Sequence, residues 1–254
     1  MQNSNWRDCQ AWNKENLCLS TTSNQAAKLY DAALTQLIGW YEIDQLNGLA
    51  GTLTSMLKED SNFAMGYCLD LAINLLNVPI LTNDLENKLS HLNSLKENRN
   101  LNLTNRELMH INAINDLANG NINTATNKWE EILIEHPHDI SAIKFTQDAY
   151  FYIGYQSQAR DSISRVLPFW KASTPLYSYL YGMWSFGLVQ TNYFDKAEFA
   201  AKKALELNKY DGWSTHTINH LNEYRNNYKE GIDFLLKTEL DWSKCNLLSC
   251  HNYW

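Results

Sequence analysis

Apolar positions recur three and four residues apart along nearly the whole chain, the period of helices that bury one face. In the first clear segment Tyr30, Ala33, Leu34, Leu37 and Tyr41 fall on one stripe. Leu108, Ile111, Ile114 and Leu117 form another. Its start is marked by Thr104 and Glu107, the spacing of a capping box, in which a hydroxyl and a carboxylate satisfy backbone donors of the first turn. Thr174-Pro175 predicts a further helix start, with an N-cap ahead of a proline whose missing N–H costs nothing at the first helical position. Asp139 and Asp211 are placed to open two more. The pattern predicts about twelve or thirteen helices of roughly 12–18 residues, joined by short turns, and no strand.

These helices repeat. Gly120 and Gly154 are 34 residues apart, as are Ala125 and Ala159, and again Ala197 and Gly231. Within a unit the small residue follows the glycine by five positions. Two antiparallel helices approach closely only where side chains are small. A 34-residue period with Gly near the hairpin turn and Ala early in the second helix is the tetratricopeptide pattern. The stretch from Gly120 through Ala125, Trp129 and Ile132 to Pro137 keeps the second-helix spacing, and it predicts Trp129 buried between the helices of its own hairpin. Tyr181 and Trp184 ahead of Ala197, Ala201 and Ala204 make a further unit. The step from Ala159 to Ala197 is 38, so four residues are inserted, and Thr174-Pro175 lies in that gap. Before residue 104 the period decays. The expectation is an all-α fold, a right-handed α-solenoid of antiparallel helix hairpins. It forms one domain over 1–254, irregular over 1–103 and repeat-like over 104–254, with the last repeat incomplete.

Composition narrows the choice of function. A hydrophobic share of 44% with 12% aromatics excludes a disordered chain, and 10 Gly with 4 Pro are too few for a turn-rich β architecture. Net charge is −7, from 21 basic against 28 acidic residues, and no basic run offers a face for nucleic acid. No apolar run approaches the roughly 18 residues of a membrane span, and Met1 to Asp8 lacks the apolar core of a signal peptide. Five cysteines, odd in number and without C-x-x-C spacing, predict a reduced, cytoplasmic compartment. Asn102-Leu103-Thr104 fits a glycosylation sequon, which an Asn-rich chain produces by chance.

Several stretches carry a more specific likeness. They are Arg7-Asp8-Cys9-Gln10-Ala11-Trp12, Leu19-Ser20-Thr21-Thr22-Ser23-Asn24, the run from Asp148 to Gln156, and Arg160-Asp161-Ser162. Pro168-Phe169-Trp170, Ser185-Phe186-Gly187-Leu188, Trp213-Ser214-Thr215-His216-Thr217 and Cys250-His251-Asn252-Tyr253-Trp254 follow. In this order, along the whole chain, the set resembles the tetratricopeptide repeat protein 38 family. The resemblance implies the helical-repeat fold and no established activity. It also implies further helices after Cys-His-Asn-Tyr-Trp, where this sequence stops. The closing residues Leu247, Leu248, Tyr253 and Trp254 are apolar, whereas a terminal helix of a solenoid presents a polar outer face. The expectation is a helix without its partner, short of part of its cover.

In tetratricopeptide repeats, positions 2, 5, 9, 12 and 13 of each first helix line the concave groove. In the register above, that membership implies Ser141, Lys144, Asp148, Phe151 and Tyr152 in one unit, and Tyr179, Gly182, Phe186, Val189 and Gln190 in the next. Trp213, His216, His220, Glu223 and Tyr224 come from a third unit, and Glu107 and His110 from the preceding one. Aromatics mixed with a few charges on one continuous wall suit capture of a peptide. The alternative for each aromatic is packing between repeats.

His216, His220 and Glu223 share one helix face, and two histidines four apart with a carboxylate beyond can ligate zinc. Cys250, at position 5 of the following unit, is a candidate fourth ligand. Thr217 occupies the general-base position of H-E-x-x-H, which disfavours a zincin-type protease. The other reading of the trio is a hydrogen-bonded polar cluster. No phosphate-cradling glycine loop or nucleophile signature is present. Cys9 and Cys18 read as bystanders in an N-terminal arm, and Asp44, Glu59 and Asp60 as solvated charges. The sequence therefore predicts a non-catalytic, soluble, cytoplasmic scaffold without a cofactor, binding a protein or peptide segment. The alternative is a metal-dependent or small-molecule-handling enzyme using His216, His220 and Glu223.

Overall fold

A computed structural model describes residues 5–77 and 82–253, and among them it has fourteen α-helices and no strand. The first five helices are α1 (Cys9–Lys14), α2 (Asn24–Gly39), α3 (Gly48–Glu59), α4 (Ala64–Asn77) and α5 (Asn83–Glu97). The repeat-like part holds α6 (Asn105–Ala118), α7 (Ile122–Glu135), α8 (Ile140–Ile153), α9 (Gln156–Val166), α10 (Tyr177–Gln190) and α11 (Phe194–Leu207). It ends with α12 (Gly212–Tyr224), α13 (Tyr228–Trp242) and α14 (Asn246–Tyr253).

The 34-residue period is a period of backbone conformation. Gly120, Gly154, Asn192 and Asn226 each adopt left-handed φ, at 77°, 75°, 64° and 57°. Their steps are 34, 38 and 34 residues. The residues that follow, Asn121, Tyr155, Tyr193 and Asn227, all lie near φ −90° and open the next helix without a side-chain cap. A left-handed residue after a helix lets its last carbonyls be satisfied and reverses the chain. Asn121, Tyr193 and Asn227 accordingly donate back to Asp116, Leu188 and Asn222 at 2.8, 2.9 and 2.8 Å. The longer middle step contains a 3₁₀ turn at Leu167–Phe169 and a bend through Thr174. Here the sequence expectation fails: α10 begins at Tyr177 after left-handed Leu176, so Thr174 is not its N-cap. Thr174 instead closes a local turn, accepting from the Lys171 N–H at 3.2 Å.

The chain divides into two compact units, Met1–Leu34 with Gln45–Ile153, and Thr35–Asp44 with Gly154–Trp254. In the first, α4 packs against α5, α6 and α8, and α7 lies between α6 and α8. The capping box forms as predicted, with Thr104 and Glu107 bonded reciprocally. The second Glu107 oxygen accepts the Ser20 N–H at 2.8 Å, which anchors the N-terminal arm. Arg7 reinforces that arm, bonding Asp31 at 2.6 Å and stacking 3.6 Å over the Trp12 ring. Tyr30 and Ser141 hydroxyls meet at 2.6 Å and join α2 to α8. Trp129 is fully buried, and its ring meets Phe145 of the following repeat, with centroids 5.5 Å apart. Asp60, read from sequence as a solvated charge, is half-buried and accepts the Thr21 hydroxyl at 2.5 Å.

In the second unit each helix packs on its sequence neighbours: α9 on α10, α10 on α11, α12 on α13, with α10 and α11 both against α12. Ala197, Ala200, Ala201 and Ala204 form the buried face of α11, which confirms the small-residue logic of the repeat. α14 packs on α12. Of its closing apolar residues, Leu248 is half-buried, and Tyr253 is exposed with its ring 4.7 Å from that of Trp242. The Leu247 side chain and Trp254 lie outside the described residues.

Candidate functional site

The predicted groove residues separate into core and surface. In the first unit His110 is completely buried, its Nε2 3.0 Å from Asp139 Oδ2, and Glu107 and Ser141 are buried too. Lys144 is 1% exposed; its aliphatic stem lies in the core while its Nζ reaches Asp148 Oδ1 at 2.5 Å. His110 and Lys144 are therefore buried residues rather than groove lining, each with a carboxylate partner inside the unit. Burial pushes the Asp148 carboxyl above its ordinary range, although Lys144 pulls the other way. One turn further along α8 the surface is reached. Phe151 and Tyr152 are 63% and 53% exposed, meet edge-to-face at 5.6 Å, and are steadied by the Tyr152 hydroxyl, which donates to Asn77 Oδ1 at 3.0 Å.

In the second unit Tyr179, Gly182, Val189 and Trp213 are buried, so these too pack rather than line a groove. The Trp213 indole N–H donates to the Ile38 carbonyl at 3.0 Å, and Trp40 packs edge-on against the same ring at 5.7 Å. Phe186, half-buried like Gln190, has its ring 5.6 Å from Trp213 and 5.9 Å from His216. Tyr224 is exposed, with Phe194 at 5.2 Å. Asp148, Phe151 and Tyr152 thus belong to one compact unit, and Phe186, His216, His220 and Glu223 to the other.

The sharpest cluster of polar groups is on α12 and α14. One turn apart on α12, His216 and His220 point their Nε2 atoms at each other across 2.9 Å. His216 is buried, and its Nδ1 lies 3.2 Å from Asn252 Oδ1 on α14. His220 Nδ1 lies 3.2 Å from the exposed Glu223 carboxylate. α14 also delivers His251, whose ring centroid is 4.8 Å from His216 and 6.1 Å from His220. One ligand-capable atom from each of His216, His220 and His251 lies within 4.8 Å of the others. Burial, helped by His220 and His251, lowers the His216 pKa to about 4 against the opposing Asn252 bond, so that imidazole is neutral at pH 7.

Two members of the ligand set read from sequence, Cys250 and Glu223, lie outside the converging group. Cys250 is exposed and stands outside this group, whereas its neighbour His251, also exposed, has a ring nitrogen within it. Glu223 is not in the converging set; it sits behind His220. Among the described residues no helix is long and apolar enough to cross a membrane. No family model matches the sequence. A solved structure described as MamA MSR-1 C2 is similar at 16% identity with a TM-score of 0.45, over 69% of this chain and 94% of that one.

Proposed function

We propose that this chain is a non-catalytic scaffold whose tetratricopeptide-like hairpins hold a segment of a protein partner. The observation that carries the reading is the Phe151–Tyr152 pair, two large rings left on the surface of a helix whose preceding positions are buried or paired. Rigid aromatic rings offer apolar area at low entropic cost, which makes them anchors for a bound segment. An overall charge of −7 favours a partner segment that carries basic residues beside its apolar ones. The ordered likeness to the tetratricopeptide repeat protein 38 family is read as descent, and the five free cysteines as adaptation to a reducing cytoplasm. The enzyme alternative is not favoured, because Glu223, which it requires as a ligand, stands outside the converging ligand atoms.

A displayed peptide library selected on the full chain tests this reading. Selected peptides combine aromatic or aliphatic side chains with Lys or Arg. The double variant Phe151→Ala/Tyr152→Ala, folded by circular dichroism, binds them at least about tenfold more weakly. Equal binding by that variant would remove the proposed anchor.

A further inference from the structure

We propose that His216, His220 and His251 form a binding site for a single divalent transition-metal ion, zinc by ligand class, which ties α14 to α12. The reading is independent of the scaffold proposal and goes beyond it, since it concerns how the second unit is closed.

Geometry supplies the argument. Histidine ligands to zinc lie about 2.0–2.1 Å from the metal, so neighbouring ligand nitrogens in a tetrahedral site stand about 3.3 Å apart. The His216 and His220 Nε2 atoms are already 2.9 Å apart, and the third histidine is inside the 4.8 Å cluster. Small rotations of half-exposed His220 and exposed His251 close the remaining difference, while buried His216 stays fixed.

The outer partners point the same way. Asn252 Oδ1 accepts from His216 Nδ1, which places the proton there and leaves a lone pair on Nε2. Glu223 Oε2 stands in the same relation to His220 Nδ1 and turns its Nε2 lone pair toward the same point. Ligating histidines are characteristically oriented in this manner, with the far N–H given to a carboxylate or amide oxygen. Two facing lone pairs are reconciled by a positive centre between them, and His251 completes a third ligand direction. A fourth position is left to water or to a partner's side chain.

The competing account is a proton shared between His216 and His220, with no metal affinity. Titration of the metal-free full chain with zinc chloride separates the two, with cobalt substitution to read coordination from the visible spectrum. We expect one equivalent bound, a tetrahedral cobalt spectrum, and slower amide exchange across α14 on binding. His251→Ala and His220→Gln, each checked for native fold by circular dichroism, should each weaken binding more than tenfold. Glu223→Gln should weaken it by about 10–100-fold through loss of orientation, and Cys250→Ser should leave it unchanged. The proposal is overturned if the wild type binds zinc no more tightly than His251→Ala, or if Cys250→Ser abolishes the site.

Discussion

Arg106 Nη1 lies 2.7 Å from Asp139 Oδ2, with both side chains buried, and the same guanidinium donates to the Cys18 carbonyl at 2.7 Å. One arginine thereby joins the start of α6, the loop before α8 and the N-terminal arm. His110 and Arg106 hold the Asp139 carboxyl well below the usual range despite the opposing effect of burial.

Replacing Arg106 with Leu removes one of the two side chains that hold buried Asp139, and should cost about 3–5 kcal/mol. A carboxyl whose folded pKa is depressed contributes stability that is present above its unfolded value near 3.9 and is lost as pH falls. The wild-type advantage over Arg106→Leu should therefore be full at pH 7 and shrink at pH 3. Urea unfolding at the two pH values checks both the size and the sign.

Gly154 and Asn192 occupy the same left-handed turn position in successive repeats. A Cβ on Gly154 would meet nothing within 4 Å, so Gly154→Ala isolates the backbone penalty. It should destabilise the chain by about 1–2 kcal/mol, whereas Asn192→Gly, which keeps a residue suited to left-handed φ, should leave stability nearly unchanged. Thermal melts of the two variants side by side test whether the turn conformation or the residue type sustains the repeat.

That pair also shows what was legible in the sequence. The period could be read from Gly120, Gly154 and the following alanines, but two of the four turns use asparagine, which reaches left-handed φ without announcing it. Helix content and the capping box at Thr104 followed from local spacing alone. The site was legible only where it was local: His216 and His220 are one turn apart, while His251 arrives on α14 by tertiary packing, 35 residues later. His110 and Lys144 were placed in a groove because register alone does not tell which polar side chains find a buried carboxylate.

Asp211 caps α12 from inside the second unit, accepting from the Trp213 N–H at 3.0 Å and the Ser214 hydroxyl at 3.2 Å. Burial pushes its carboxyl up to about 7 against those bonds. Between pH 4 and 7 the folded state then holds the extra proton, so this group makes stability fall as pH rises through that window. Asp211→Asn keeps the capping oxygen and removes the titration. Its advantage over the wild type should grow from pH 4.5 to pH 8, up to about 4 kcal/mol. A constant difference across that range would show that Asp211 stays ionised.

The scaffold reading is tested most directly by amide hydrogen exchange of the full chain with and without a selected apolar-basic peptide. It predicts slower exchange at the surface end of α8 around Phe151 and Tyr152, lost in the Phe151→Ala/Tyr152→Ala variant. Protection that leaves α8 untouched, or that persists in the double variant, would contradict it.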